Sequence, residues 1–210
     1  MEIEKPNMKS ALMIGFNPST ERQKNDFYAT NPKALKLLLE KLKEDDLELN
    51  NNLWECSCGQ GHLSKVLINS GYEVKSSDVI DRGFGNVEDF LQVKEIFNGD
   101  IITNPPFKLA EKFIEKGMEL LNEGNKLILF LKIQFLESKS RYKLFKKYPP
   151  KFVYAHSSRQ LCCRDGDFDK YTSTTQFYSW LIFEKGFNGD TILRWINPEL
   201  KEEKIELALE

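Results

Sequence analysis

The residues of this chain best suited to chemistry are Asn104-Pro105-Pro106-Phe107, entered from the apolar run Ile101-Ile102-Thr103. They suit one task, which is making an amide-like nitrogen nucleophilic. The exocyclic amine of adenine, or a glutamine amide, delocalises its lone pair into a π system and attacks electrophiles poorly. If the Asn104 side-chain oxygen and the Pro105 main-chain carbonyl each accept one N–H, the nitrogen moves toward tetrahedral geometry and its lone pair is freed. Phe107 is placed to stack on the planar group. Both prolines lack an N–H and fix φ, so the loop is stiff and its carbonyls keep their direction. Asparagine is no base, so the proton leaves to water. The competing reading of the same four residues is a strand-ending turn, because X-Pro pairs punctuate chains.

Upstream, Leu53-Trp54-Glu55-Cys56-Ser57-Cys58-Gly59-Gln60-Gly61 reads as a short strand, an acid and a Gly-x-Gly turn that opens a helix over His62–Asn69. Glycine has no Cβ, so such a turn lets backbone approach a nucleotide-like ligand closely. The third glycine of a dinucleotide fingerprint is missing, and Ser64 stands in its place. Tyr72-Glu73-Val74 then leads to Ser76-Ser77-Asp78, an acid near the sequence distance expected of a ribose-binding carboxylate. A further acid, Asp89, precedes Phe90-Leu91.

In this order the four features resemble motifs I to IV of the S-adenosylmethionine-dependent amino-methyltransferases, particularly the adenine-N6 enzymes. The resemblance implies roles for individual residues. Glu55, Gly59 and Gly61 match the motif I loop beside the methionine portion and ribose of S-adenosylmethionine. Asp78 matches the acid that holds the ribose hydroxyls, and Asp89 the acid that binds the cofactor adenine, with Phe90 as its packing partner. Asn104, Pro105, Pro106 and Phe107 match motif IV. Phe27-Tyr28-Ala29-Thr30-Asn31-Pro32 resembles motif X, which closes over the methionine end, so Phe27, Tyr28 and Thr30 are cofactor-side candidates. The order X, I, II, III, IV is that of the gamma arrangement. Later segments, including Phe135-Leu136-Glu137-Ser138, Tyr148-Pro149-Pro150 and Ser179-Trp180, are similar to small phage-type or prophage-type DNA adenine methyltransferases. Two departures stand out. Cys56 occupies the position where many relatives carry proline, and there is no room for the separate target-recognition domain of many DNA enzymes.

The elements that must position these residues read as alternating strand and helix. Asn31 is a natural helix cap, Pro32 suits the first helical position, and Leu35, Leu38, Leu39 and Leu42 recur at helical spacing. Leu109, Phe113, Gly117, Leu120 and Leu121 mark a second apolar helix face, ended by Gly124. Lys126–Lys132 reads as a buried strand, 139–147 as a helix stopped by Pro149-Pro150, and 151–157 as another strand. Segments 176–184 and 191–196 are rich in aromatic and β-branched residues, and the turn residues Gly186-Phe187-Asn188-Gly189-Asp190 between them predict an antiparallel hairpin. The expected fold is α/β, a doubly wound, mostly parallel sheet ending in that hairpin. The resemblance makes it a seven-stranded, Rossmann-like methyltransferase fold.

A chain of 210 residues fits one domain, which we place at 26–198, with an N-terminal extension over 1–25 and an acidic tail over 199–210. The longest apolar run is too short to span a bilayer, and the charged, polar first residues carry no leader pattern, so a cytoplasmic protein is expected. Cys56, Cys58, Cys162 and Cys163 lack zinc or redox spacing, and free thiols with no metal are expected. The 165–169 stretch begins like a calcium loop but meets Gln176 where the closing glutamate belongs. A net charge of −2 and a pI of about 5.9 provide no global basic field for a nucleic acid. Cations do cluster locally, with Lys143, Lys146 and Lys147 interleaved with Tyr142, Phe145 and Tyr148. A helix there either turns its aromatics inward and its cations to phosphate, or is a solvated face. Arg159 and Arg164 fall in a predicted loop over 159–175, which in the resembled family reaches the target nucleotide. DNA adenine, RNA adenine and protein glutamine are the candidate acceptors, with a non-catalytic binding protein as the remaining alternative.

Overall fold

The computed structural model describes residues 28–164, 168 and 174–198. Phe27, the 1–25 extension, the 199–210 tail and most of the 165–169 stretch therefore lie outside the described residues. Among the described residues, ten strands and four α-helices follow in the order β1 (Tyr28–Thr30), α1 (Pro32–Glu44), β2 (Asn52–Glu55), α2 (His62–Asn69), β3 (Glu73–Asp78), β4 (Asn86–Val87), β5 (Asp100–Thr103), α3 (Ala110–Leu120), β6 (Lys126–Lys132), α4 (Tyr142–Lys147), β7 (Phe152–His156), β8 (Cys162–Arg164), β9 (Tyr178–Glu184) and β10 (Ile192–Ile196). Eight strands form one sheet in the order β10-β7-β9-β6-β5-β2-β3-β4, while β1 and β8 make a separate antiparallel ribbon. Among the described residues, no helix is long and apolar enough to cross a membrane.

Alternation along the strands divides the core between the two faces of the sheet. Leu53, Ile102, Ile128 and Phe130 pack with the leucines of α1 and with Leu63 and Leu67 of α2. Their neighbours Trp54, Ile101, Leu127 and Leu129 point the other way, onto Phe113, Ile114 and Met118 of α3 and Leu144 of α4. Helices thus cover both faces, which is the doubly wound arrangement. At the start of α1, Asn31 Oδ1 accepts from Lys33 N at 2.9 Å and Pro32 takes the first turn. The cap satisfies one of the N–H groups that a helix start leaves without an internal partner.

Antiparallel pairing is present, but its partners correct the predicted hairpin. β9 lies between β6 and β7 and runs antiparallel to both, whereas β10 pairs parallel with β7, Leu193 opposite Val153. Burial explains this. Residues 178–183 of β9 are all buried, so that strand must have both edges and both faces covered, while most of β10 is exposed and suits the sheet margin. The turn around Gly186 carries the chain past the start of β7 instead of folding β10 onto β9. Eight strands also replace the expected seven.

The predicted helix 139–147 begins at Tyr142. Arg141 folds back, its Nε donating to Phe135 O and its Nη2 to Glu137 O, both at 2.7 Å, and Ser140 N turns onto Ser138 Oγ. Tyr142 is 68% exposed, so of the aromatics expected to face inward Phe145 and Tyr148 do so, beside Leu144, and Tyr142 does not.

Candidate active site

Three parallel strands end side by side and bring the motif acids and Asn104 together. Glu55 closes β2, Asp78 closes β3, and Asn104 follows β5. β3 lies on one side of β2 and β5 on the other, so the chain reverses its winding there, and a crevice opens beyond the carboxyl ends. The cleft is about 570 Å³ and is lined by Tyr28, Thr30, Glu55, Asp78, Asp89, Phe90 and the whole Asn104 to Phe107 stretch. That volume lies within the range of small-molecule pockets, roughly 300 to 1,000 Å³.

The glycine turn is held by Asp78. Gly59 N donates to Asp78 Oδ2 at 2.9 Å and Ile80 N to Oδ1 at 3.0 Å, so each carboxylate oxygen keeps acceptor capacity for a further donor. Gly61 begins α2 at φ +77°, and a Cβ there would stand 2.5 Å from the Phe84 ring. We expect Gly61→Ala to lower stability by at least about 1 to 2 kcal/mol, the cost of a left-handed non-glycine residue, with the displaced ring adding to it. Urea unfolding of the variant against the parent measures this.

Ser64, standing where a third glycine was absent, bonds Glu55 through both its N–H (2.7 Å) and its hydroxyl, and meets Ser76 Oγ at 2.6 Å. Glu55 is fully enclosed. Burial, opposed by the two Ser64 donors and reinforced by the Asp78 charge, pushes its carboxyl up to about 8. A group whose folded pKa exceeds its unfolded value stabilises the fold at low pH and loses that contribution as pH rises through the folded pKa. The parent should therefore lose stability in urea between about pH 4.5 and 8, and Glu55→Gln should lose less over the same interval. Equal slopes for the two proteins would place the proton elsewhere.

The two loops of the site are tied to each other. Ser57 Oγ meets Thr103 Oγ1 at 2.6 Å and donates to Asn104 O at 3.1 Å. Asn104 Nδ2 donates to Thr30 Oγ1 at 2.8 Å and to Tyr28 O at 3.3 Å, while Asn104 Oδ1 is buried with no partner among the described residues. An unpaired buried carbonyl costs about 1 to 3 kcal/mol, and such a group invites a functional account. The Phe107 ring lies 6.1 Å from that of Tyr178 and has Lys132 Nζ over it at 5.2 Å. Tyr178 in turn stacks on Phe130 at 4.9 Å.

Other candidates are placed less directly. Asp89 is exposed at the rim and caps a single turn, accepting from Leu91 N at 3.0 Å. Phe90 lines the cleft but is chiefly a core residue, packed on Trp54 and Phe113. Gly59 and Gly61 shape the turn without lining the cleft. Lys143, Lys146 and Lys147 are exposed on α4, which leads through Pro149-Pro150 to the opening end of β7, at the edge of the sheet away from Asn104. The structure does not bring them to the cleft. Arg159 follows the closing end of β7, on the cleft edge, with its guanidinium 4.5 Å from the Phe177 ring and bonded to Thr174 O. Arg164 ends β8 opposite Tyr28. All four cysteines are free thiols, and burial pushes Cys58 and Cys162 up to about 12. Among the described residues, no group of three or more potential metal ligands converges.

No protein-family model and no curated protein sequence matches the chain. Solved structures do. An inferred class I S-adenosylmethionine-dependent methyltransferase from Listeria monocytogenes superposes with a TM-score of 0.59 at 17% identity, over 95% of this chain and 75% of that one. The fold is the one class I methyltransferases use. An inferred RNA methyltransferase from Pyrococcus horikoshii gives 0.51 at 14% identity, over 74% of this chain and 85% of its own. An inferred hemolysin from Lactococcus lactis gives 0.52 at 14%, over 81% and 95%. At these identities the likeness is one of fold, and one fold hosts several functions. The functional reading therefore has to come from the site.

Proposed function

We propose that the chain is an S-adenosylmethionine-dependent methyltransferase that modifies the exocyclic N6 of adenine in DNA. The observation that carries this reading is Asn104, whose amide hydrogens are both engaged while its Oδ1 has no partner among the described residues, in a cleft that Asp78 also lines. The residues suit the cofactor. Asp78 retains acceptor capacity for two ribose hydroxyls, Asp89 stands exposed for the adenine amine, and Tyr28 and Thr30 face the methionine end. When bound, S-adenosylmethionine supplies a methyl group on a positively charged sulfur. Asn104 Oδ1 and Pro105 O accept the two N–H bonds of the acceptor amine and direct its lone pair at that methyl. The methyl would pass from sulfur to nitrogen with the sulfur keeping the electron pair, and because neither Asn104 nor Pro105 is a base, the extra proton would leave from nitrogen to water. Phe107 provides the surface for the base, which in a duplex must first leave the stack at a cost of a few kcal/mol.

Labelled S-adenosylmethionine offered with DNA, RNA and protein pools tests the proposal. Label appearing as N6-methyladenine in DNA supports it. Label in RNA or on glutamine transfers the same mechanism to another acceptor, and no label in any pool sinks it. We place the site of action in the cytoplasm.

A further inference from the structure

Both hydrogens of the Asn104 amide end on one short ribbon. Thr30 Oγ1 and Tyr28 O belong to β1, and Cys162 Sγ of β8 lies 4.0 Å from the same nitrogen. Thr30 and Cys162 are direct partners in the β1–β8 pairing, so a single face of the ribbon closes on the amide from two segments far apart in sequence. Tyr28 O is a main-chain carbonyl and can only accept, so the atom facing it has to be the amide nitrogen. That contact, at 3.3 Å, identifies the nitrogen; the shorter bond that holds it, at 2.8 Å, is the one to Thr30 Oγ1, and Oδ1 is left without a partner among the described residues.

We propose that Thr30 is the positioning residue of the transfer site, its hydroxyl oxygen holding the Asn104 amide so that Oδ1 meets the acceptor amine. This rests on the amino-methyl transfer reading. The terminal torsion of asparagine is broad and roughly two-fold, so an unheld amide turns over readily. The overturned state sets N–H donors against the N–H groups of the acceptor and activates nothing. Thr30 contributes no atom to the bonds that form or break. It is 3% exposed and well anchored, because Asn31 N donates to Leu161 O at 3.0 Å and the Asn31 side chain caps α1.

Thr30→Val keeps the shape and removes the acceptor, whereas Thr30→Ser keeps the acceptor. For Thr30→Val we expect kcat to fall about tenfold or more, as for loss of one hydrogen bond at a reacting centre, with acceptor KM moving little. Thr30→Ser should recover most of the rate. A second readout needs no substrate. The Asn104 side-chain amide resonances, identified by their loss in Asn104→Ala, should be protected from exchange in the parent, shifted and faster-exchanging in Thr30→Val, and restored in Thr30→Ser. A Thr30→Val kcat within twofold of the parent overturns the proposal. So does rapid amide exchange in the parent, a result available even if Thr30→Val does not fold. A parent inert on every acceptor sinks the transfer reading alone, since the resonances still decide the Thr30 contact.

Discussion

Replacing Asn104 with alanine is expected to lower methyl transfer about a hundredfold or more, the loss seen when one preorganised hydrogen-bonding group at a reacting centre is removed. Cofactor affinity should stay near that of the parent, because among the described residues the side chain bonds Thr30, Tyr28 and the Cys162 thiol, while the glycine turn is held separately by Asp78. Calorimetry with S-adenosylmethionine and a labelled-methyl assay on DNA separate the two quantities. Asn104→Asp is a sharper companion. A carboxylate at that position has no hydrogen to give Tyr28 O or Thr30 Oγ1, so its orientation is lost even though its acceptor oxygens remain. Full activity of Asn104→Ala on every polymer offered would reduce Asn-Pro-Pro-Phe to a turn.

The second large effect is expected at Asp78, and on binding. Loss of a charged acceptor for the ribose hydroxyls is worth roughly 1.5 to 3 kcal/mol, or about ten- to a hundredfold in affinity. The alanine variant should exceed the lower end of that range, because it also frees Gly59 N and Ile80 N and so releases the turn proposed to receive the cofactor. Lower stability in urea should accompany the weaker binding. An Asp78→Ala protein that bound S-adenosylmethionine with unchanged affinity would remove the ribose from this end of the cleft.

Much of this site was legible in the residues because its parts are local. The Asn31-Pro32 cap, the unbroken apolar run of β6 and the helix opened by Gly61 each carry their own stop and start signals, and the structure places them within a residue or two. Glu55, Asp78 and Asn104 stand at strand ends, where motif spacing can find them. What escaped depends on contacts between distant segments. β1 and β8 are three residues each, too short for any periodicity, so neither the ribbon nor its grip on Asn104 left a pattern to read. Ser64 could be noticed only as a missing glycine, and its bonds to the Glu55 carboxyl needed the fold. Turn chemistry after β9 was real, yet a turn states only that the chain reverses and not which strand it meets next. The lysines of α4 are clustered in sequence, but the edge of the sheet they reach is decided by the strand that follows.

The position of β9 also imposes an order of assembly. β6 and β7 are made first and lie two strand spacings apart, about 10 Å, with nothing to pair across the space until the segment ending at Glu184 arrives. Closing that gap joins residues separated by a long stretch of chain, the kind of step that slows folding. Gly59, Asp78 and Asn104 all belong to the earlier half, whereas the Tyr178 ring beside Phe107 comes with the late strand. The segments that carry Gly59, Asp78 and Asn104 thus precede in the chain both β8, which pairs with Thr30, and the strand that sets the Tyr178 ring beside Phe107.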